Sequence, residues 1–326
     1  MTGTVPHADG SMVSSVVSTE PGTVPCGRRV HVQVPATSAN LGPGFDTLGL
    51  ALARYDVLDI EVVPTGLEIE VHGVGEGVVP LDASHLVVRS MAHAFARCGL
   101  PLPPLRFVAH NTIPHGRGLG SSGAAIVAGV VAAQGLLTGI TTFTSDDLLD
   151  IATELEGHPD NVAPALFGGL TIAWTTADGP RHKKLNVHRG VSPLVLVPEH
   201  EMSTALARSL QPEHVPHEDA VFNVSRSALL VAALIQSPEL LLQATEDRLH
   251  QGYRAQAMPE TDRLIRELRE EGHPAVVSGA GPSILVLCND PAERVRAIAL
   301  VAQRSETEWQ ALPLAVDFLG ATVTVG

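Results

Sequence analysis

The sequence predicts an α+β fold in two lobes, and three observations support this. The chain has 326 residues, which corresponds to about two domains at roughly 100–200 residues each. Its first part opens with strand patterns and then changes to helical periodicity, whereas its second part alternates short strands with helices. A polar stretch at 178–190 separates the two parts. We therefore expect a disordered extension over 1–27, a first lobe over 28–185 and a second lobe over 186–326.

Alternation of apolar and polar residues predicts three early strands. Val30, Val32 and Val34 alternate with polar residues in the first strand, and the same pattern recurs at 58–62 and 67–71. A Pro-Thr-Gly turn separates the last two strands. This spacing predicts an antiparallel arrangement of the three.

Helical periodicity follows the third strand. Apolar residues from Leu86 to Cys98 fall on one face of a helix. A short strand is predicted at 105–110, and the next helix begins at Ser121. The strongly apolar part of that helix, 124–133, is far shorter than the ~20 residues that a membrane span needs. We therefore interpret it as a buried helix.

The same signals predict the remaining elements. Ser145 has the features of an N-cap, because two aspartates follow it where they complement the helix dipole, and it predicts a helix to about Glu156. A strand follows a pair of glycines and runs through Trp174. The second lobe is predicted to contain strands at 194–197, 275–277 and 284–288, and helices at about 219–235, 238–250, 259–271 and 292–303.

Charge and cysteine content exclude several classes of function. The chain has 21 Lys and Arg against 35 Asp and Glu, a net charge of −14, so nucleic acid and anionic membrane surfaces are poor partners. Its 3 cysteines lie far apart without metal-ligand spacing, which excludes a disulfide framework and a structural zinc site. The first 27 residues lack the basic and apolar regions of a signal peptide, which predicts a cytoplasmic protein.

Three loops rich in glycine, serine and proline adjoin predicted strands. They are the Asn40 loop (35–46), the phosphate loop (114–124) and the Gly279 loop (277–283). The phosphate loop runs directly into a helix, where free backbone N–H groups and the positive end of the helix dipole attract an anion. This arrangement predicts a site for a phosphate group.

The class of phosphate ligand can be narrowed by exclusion. The only lysines are Lys183 and Lys184, so the Walker loop and the protein-kinase site, which need a lysine elsewhere, are both excluded. Gly118, Gly120 and Gly123 satisfy the GxGxxG pattern of dinucleotide-binding proteins. That pattern requires the strand to end at the first glycine, which it does not do here, so a dehydrogenase is the weakest hypothesis.

Four ordered motifs carry a resemblance to a known family. They are PATSANLGPGFD (35–46), PHGRGLGSSGA (114–124), EGHPDNVAPALFGG (156–169) and SGAGPS (278–283). Together they resemble the GHMP small-molecule kinases, and most closely the branch that phosphorylates homoserine. The resemblance implies an N-terminal lobe like ribosomal protein S5 domain 2, a ferredoxin-like C-terminal lobe and an active site between them. It also implies transfer of the γ-phosphoryl group of ATP to the side-chain hydroxyl of L-homoserine, in threonine biosynthesis, by a homodimer.

The resemblance also implies the nucleotide and metal sites. The ATP-binding residues would be Pro114, His115, Gly116, Arg117, Gly118, Leu119, Gly120, Ser121, Ser122, Gly123 and Ala124. Gly123 departs from the family pattern, which usually has alanine. Mg²⁺ would be held by a hydroxyl, that of Ser121 or its neighbour Ser122, and by one glutamate. Alignment places that glutamate at Glu154, with Glu156 as a rival because the connection that follows is short.

Further residues are implied for the acceptor. Its carboxylate would be bound by Arg208 and Arg254, and its polar groups by Asn40, Asp46 and Asn161, which are the family's substrate contacts. Asp46, Ser121, Glu154 and Thr204 would act in catalysis, Thr204 by reaching the transferring phosphate. No residue is a strong general base: His158 and Asp160 lie near Asn161 in the sequence, but neither is singled out.

Two alternatives remain open from the sequence. The first is a kinase of the same fold that acts on another small alcohol, such as mevalonate, a sugar or shikimate. The second is a nucleotide-binding regulator that has lost catalysis.

Overall fold

The computed structural model describes residues 22–326, apart from the side chain of Thr204. Most of the predicted extension over 1–27 lies outside these residues. Its last part is held by hydrogen bonds, because the Gly27 amide donates to the Val62 carbonyl at 2.8 Å. The prediction of disorder is therefore wrong for the end of the extension.

Over residues 22–185 the first lobe contains four helices and six strands, and a last strand from the end of the chain completes its seven-stranded sheet. In chain order its elements are β1 (Arg29–Ala39), β2 (Leu48–Val62), β3 (Leu67–Gly73), α1 (Leu86–Arg97), β4 (Leu105–Asn111), α2 (Ser121–Leu136), α3 (Ser145–Glu156), α4 (Pro159–Phe167), β5 (Leu170–Thr176) and β6 (Gly179–Leu185). The predicted buried helix is confirmed, because nearly every apolar residue of α2 is buried.

The second lobe contains a four-stranded antiparallel sheet with helices. Its elements are β7 (Ser192–Pro198), α5 (Thr204–Ser209), α6 (His217–Ile235), α7 (Leu241–Ala244), α8 (Gln251–Arg254), α9 (Pro259–Glu270), β8 (Ala275–Val277), β9 (Ile284–Cys288), α10 (Pro291–Arg304) and β10 (Trp309–Pro313). The strand order β10-β7-β9-β8, with helices between β7 and β8 and between β9 and β10, is the ferredoxin-like arrangement. The predicted two-lobed α+β fold is confirmed.

The last strand of the chain returns to the first lobe. After β10, strand β11 (Thr322–Val325) pairs antiparallel with β1, and Val316 forms a bridge with Leu52. The chain's end therefore departs from the predicted second lobe of 186–326 and seals one edge of the first sheet.

The three early strands do not form a simple antiparallel meander. In the sheet order β11-β1-β2-β4-β3, strand β4 lies between β2 and β3 and pairs parallel with β3. The short connection after β2 cannot close a hairpin, because its ends bond to the start of β4. The Val63 amide donates to Pro104 at 3.0 Å, and the Leu105 amide donates to Gly66 at 3.1 Å.

Several predicted boundaries shift for local reasons. Thr144, not Ser145, is the N-cap of α3, because its side chain forms a capping box with Asp147. Helix α4 was not predicted, since Pro159 and Pro164 suggest a loop, yet Pro159 occupies the first turn, where its missing N–H costs nothing.

Other corrections concern the polar stretches. The stretch at 178–190 contains β6, which pairs with β5 in the first sheet. The helix predicted at 238–250 is broken, because the Asp247 carboxylate accepts from the backbone N–H groups of His250 and Gln251 and so holds a loop.

Among the described residues, no helix is long and apolar enough to cross a membrane.

Candidate active site

The three glycine-rich loops predicted from the sequence meet in one cleft. The Gly279 amide donates to the Ala39 carbonyl at 3.1 Å, and the Asn40 side chain donates to the Gly279 carbonyl at 2.8 Å. The Ser278 hydroxyl donates to the Gly118 carbonyl at 2.6 Å. These bonds close a cleft of about 190 Å³ between the phosphate loop, the Asn40 loop and the Gly279 loop.

The phosphate loop presents backbone rather than side chains to this cleft. Gly116, Gly118 and Gly120 have φ values of 62°, 74° and 69°, which few L-residues adopt. Gly120 is the N-cap of α2 and supplies no side chain, so the first-turn N–H groups of this 16-residue helix face the cleft uncapped. These groups and the helix dipole make an anion site.

The other loop residues have different places. Ser121 and Ser122 line the cleft with the three glycines, and His115 lines a neighbouring cavity. Leu119 and Ala124 are buried in the core. The Arg117 guanidinium bonds to carbonyls outside the cleft, and the side chain of Pro114 does not line it.

Gly118→Ala should weaken ATP binding, whereas Gly123→Ala should have little effect. A Cβ at Gly118 would lie 2.1 Å from the Ser278 carbonyl oxygen, and strain at this φ adds about 1–3 kcal/mol. We expect ATP affinity to fall by about 10-fold or more. At Gly123 the nearest atom is 3.3 Å away, so alanine should change stability by no more than about 1 kcal/mol. Titration calorimetry with ATP checks this, and equal losses in both variants would contradict it.

A second, mostly apolar cavity adjoins the cleft. Its volume is about 280 Å³, and it shares Ser121 and Ser122 with the cleft. Apolar residues of β2, β4, α1, α2 and the segment before α1 form most of its wall: Leu58, Val79, Pro80, Leu86, Val87, Ala109, Ala124, Ala125 and Ala128. The polar residues Asp56, Ser84, His85, Asn111 and His115 line the rest together with Ser121 and Ser122. A flat apolar group attached to a phosphate chain could therefore lie here while its phosphates reach the phosphate loop.

The structure brings Glu156, and not Glu154, to the cleft. Glu154 lies on the face of α3 that packs against α1, where it accepts from Arg97 at 2.6 Å and pairs with His93 at 2.8 Å. Glu156, one half-turn further on, lines the cleft, and its carboxylate accepts from the Ser122 hydroxyl at 2.9 Å. Glu154, which was predicted as metal ligand and catalytic residue, therefore does not line the cleft, whereas its rival Glu156 does, because the helix turns the two side chains to different faces.

The two glutamates also differ electrostatically. The hydrogen bond from His93, together with Arg97, lowers the pKa of Glu154. Burial raises the pKa of Glu156 despite the hydrogen bond from Ser122. A half-buried carboxylate that lacks a cationic partner within 4 Å among the described residues fits a site that a hard cation completes.

The Asn40 loop carries two of the residues that were predicted to contact the acceptor, Asn40 and Asp46. Asn40 and Asp46 both have positive φ, at 71° and 52°, and the Asn40 side chain accepts from the Asp46 amide at 3.0 Å. Such backbone strain concentrates at binding sites. Asp46 in turn accepts two hydrogen bonds from Arg208 on α5, at 3.1 and 3.3 Å.

Arg254 places a buried positive charge at the cleft. It is 3 % exposed, and its guanidinium lies 5.2 Å from the Phe45 ring. Its guanidinium donates to the neutral Gly279 carbonyl at 3.3 Å. Desolvation lowers its pKa, although the more distant charges of Asp46, Asp247 and Asp160 oppose this shift. Within the described residues no carboxylate lies within salt-bridge distance of this buried cation.

Asn161 and two unassigned neighbours complete the cleft. Asn161 accepts from Thr37 at 3.0 Å, and His158 bonds to the buried Asp160 carboxylate. Desolvation lowers the pKa of His158, but the hydrogen bond and charge of Asp160 outweigh it and raise that pKa. The sequence GHPDN contains both His158 and Asp160, but spacing alone did not indicate a role for either residue. Thr204 begins α5, and its side chain lies outside the described residues.

Two family models match the chain. Residues 85–169 match "GHMP kinases N terminal domain" and residues 229–303 match "GHMP kinases C terminal". The chain is 70% identical over 298 residues to the homoserine kinase of Leifsonia xyli subsp. xyli, covering 91% of this chain and 92% of that protein. It is 69% identical over 300 residues to the homoserine kinase of Clavibacter michiganensis subsp. michiganensis, covering 92% and 95%.

Solved structures agree with this fold. The homoserine kinase of Cytophaga hutchinsonii superposes with a TM-score of 0.81 at 28% identity, covering 91% of this chain and 97% of that one. The mevalonate kinase of L. major, with R-mevalonate, superposes with a TM-score of 0.67 at 15% identity, covering 87% and 94%. The second likeness shows the fold alone.

Proposed function

The chain belongs to the GHMP kinases, and we propose that it is a homoserine kinase. It transfers the γ-phosphoryl group of ATP to the side-chain hydroxyl of L-homoserine, and the products are O-phospho-L-homoserine and ADP. This reaction is a step of threonine biosynthesis. Relatives of this name that align over nine-tenths of the chain support the assignment.

One observation of the structure carries the choice of acceptor. Arg254 is a buried cation with no carboxylate within salt-bridge distance among the described residues, and it lies in the same cleft as the phosphate loop. An amino-acid carboxylate would supply the missing charge, and Arg208 offers a second guanidinium at the cleft. Mevalonate also carries a carboxylate, but it lacks an ammonium group that could donate a hydrogen bond to Asp46. A neutral sugar would leave the charge of Arg254 uncompensated.

The nucleotide fits the two adjoining cavities. Uncapped N–H groups of the phosphate loop and of α2 would bind the β- and γ-phosphates. The apolar cavity would take the adenine base, because its walls are hydrophobic and it opens to Ser121 and Ser122. This geometry leaves the γ-phosphate between the phosphate loop and the acceptor.

The residues beside the phosphate loop fit a magnesium ion. Glu156 supplies a carboxylate and Ser121 or Ser122 a hydroxyl, which are hard oxygen ligands of the kind Mg²⁺ prefers when it also binds phosphates. When bound, the ion neutralises charge on the phosphate oxygens. The raised pKa of Glu156 agrees with a carboxylate that is fully stabilised only beside a cation.

The remaining chemistry is positioning and charge stabilisation. Asn161 and Asp46 orient the acceptor, while the two arginines fix its carboxylate, so that its hydroxyl faces the γ-phosphate. The hydrogen bond and charge of Asp160 outweigh desolvation and raise the pKa of His158, which favours positive charge near the transferring group. Asp46 is engaged by Arg208. We therefore assign no dedicated base: the acceptor hydroxyl keeps its proton until the bond to phosphorus forms, and the proton then passes to a phosphoryl oxygen or to solvent.

Asp46→Asn separates binding from base catalysis. Since Asp46 is proposed to bind the acceptor, the variant should raise KM for L-homoserine by about 10- to 150-fold, the effect of losing a charged hydrogen bond of about 1.5–3 kcal/mol, and should also lower kcat. Steady-state kinetics checks this, with Asp59→Asn, an exposed carboxylate, as control. A fall in kcat of about 10³-fold at constant KM would instead make Asp46 the general base.

The proposed function is tested by ADP release with different acceptors. The purified protein is assayed in a coupled assay with ATP, Mg²⁺ and, in turn, L-homoserine, mevalonate, galactose or shikimate. We expect robust turnover with L-homoserine only. Turnover with a non-amino-acid acceptor alone would overturn the substrate assignment, and no turnover with any acceptor would favour an inactive regulator.

A further inference from the structure

Arg117 lies in the phosphate loop but points away from the phosphates. Its Nε donates to the Pro198 carbonyl at 3.0 Å, and its Nη2 donates to the Glu199 carbonyl at 2.5 Å. Its Nη1 donates to the His115 carbonyl at 3.3 Å and lies 3.4 Å from the Glu201 carboxylate. All three nitrogens are therefore engaged, two by carbonyls of 198–199 and the third by the His115 carbonyl and by Glu201, and Arg117 does not line the cleft.

These contacts tie the phosphate loop to a connecting segment at 198–203. The Met202 amide adds a further bond, to the Gly116 carbonyl, at 2.9 Å. A Cβ at Gly116 would lie 3.3 Å from Glu201, so the two backbones approach closely. The Arg117 side chain is only 22% exposed, and low exposure strengthens such charge-assisted bonds.

The connecting segment leads directly into α5, which carries an acceptor-binding group. Ser203 caps this helix by accepting from the Leu206 amide at 3.1 Å. Arg208 lies in its last turn and binds Asp46 of the Asn40 loop. Any displacement of the connecting segment would therefore displace Arg208 relative to the acceptor.

We propose that Arg117 is a positioning residue for the acceptor, although it lies in the nucleotide loop. By holding 198–203 against the phosphate loop, it fixes α5 and hence Arg208, and it couples nucleotide binding to acceptor binding. This inference rests on the proposed homoserine kinase activity. A phosphate-loop arginine would ordinarily be assigned to ATP, so the two roles predict different kinetics.

The test compares Arg117→Met with wild type in ATP and L-homoserine titrations. We expect KM for L-homoserine to rise about 10-fold or more, within the ~5–150-fold range of coupling between sites, while KM for ATP changes little. Arg106→Met is the control. It removes a guanidinium that is 57% exposed and pairs with Glu68, outside the cleft, and we expect it to leave both constants nearly unchanged.

A second readout follows from the coupling. In wild type, a non-hydrolysable ATP analogue should tighten L-homoserine binding measured by calorimetry, and in Arg117→Met this enhancement should disappear. If Arg117→Met does not fold, Arg117→Lys, which keeps the charge but loses the fork of donors, is judged by the same criteria.

The kinetic results distinguish failure of the proposed role of Arg117 from failure of the proposed function. A rise in KM for ATP with KM for L-homoserine unchanged, or an equal rise in both, would overturn the role of Arg117 alone. Absence of homoserine phosphorylation by wild type would overturn the proposed function, and this inference with it.

Discussion

Glu156→Gln should lower kcat with ATP and L-homoserine by about 10²- to 10³-fold, in the range found when one preorganised electrostatic group is removed. The substitution keeps the shape of the side chain and its contact with Ser122, but it removes the cleft carboxylate that bonds to a hydroxyl of the phosphate loop. Without it, the negative charge of the phosphates is less well neutralised in the transition state. Single-turnover kinetics at saturating ATP measures the effect.

Glu154→Gln is the matched control for that experiment. Glu154 is 44% exposed and pairs with His93 and Arg97 on α1, and exposed ion pairs contribute only about 0–1 kcal/mol. We expect kcat within about threefold of wild type and a small fall in Tm. A large loss of kcat in Glu154→Gln, with Glu156→Gln active, would restore the original alignment.

Arg254→Met should have the second large effect, on the acceptor side. Removing one partner of a buried charge pair costs about 2–5 kcal/mol, so kcat/KM for L-homoserine should fall by about 30-fold to 5,000-fold. KM for ATP should remain near that of wild type, because Arg254 is not in the phosphate loop. Initial-rate kinetics with both substrates checks the prediction.

Stability provides an independent check on Arg254. Desolvation lowers its pKa, so the folded state disfavours the charge, and removing it should leave the Tm of the free protein unchanged or raised. Arg266→Met, on an exposed face of α9, should change neither kinetics nor Tm appreciably. Unchanged kcat/KM for L-homoserine in Arg254→Met would contradict its binding of the acceptor carboxylate.

Features that depend on local chemistry could be predicted from the sequence. The three glycine-rich loops were each predicted at a strand end, and they meet in one cleft through bonds such as that of Ser278 to Gly118. The α2 helix was predicted from its apolar content and from the glycines that precede it. In both cases the pattern on which the prediction depends lies within one short stretch of sequence.

Features that depend on distant partners could not be predicted in this way. The insertion of β4 between β2 and β3 is decided by bonds of Val63 and Leu105 to residues far along the chain. Glu154 and Glu156 are only two residues apart, and their roles depend on which face of α3 meets α1. The outward direction of Arg117 required the position of the connecting segment.

The most direct test of the assigned reaction is the identity of the phosphorylated product. We propose to incubate the protein with ATP, Mg²⁺ and L-homoserine and to record ³¹P NMR spectra of the mixture. We expect a phosphomonoester resonance coupled to a CH₂ group, formed in equal amount with ADP. Free phosphate alone, or an acyl phosphate on the carboxylate, would contradict phosphoryl transfer to the side-chain hydroxyl.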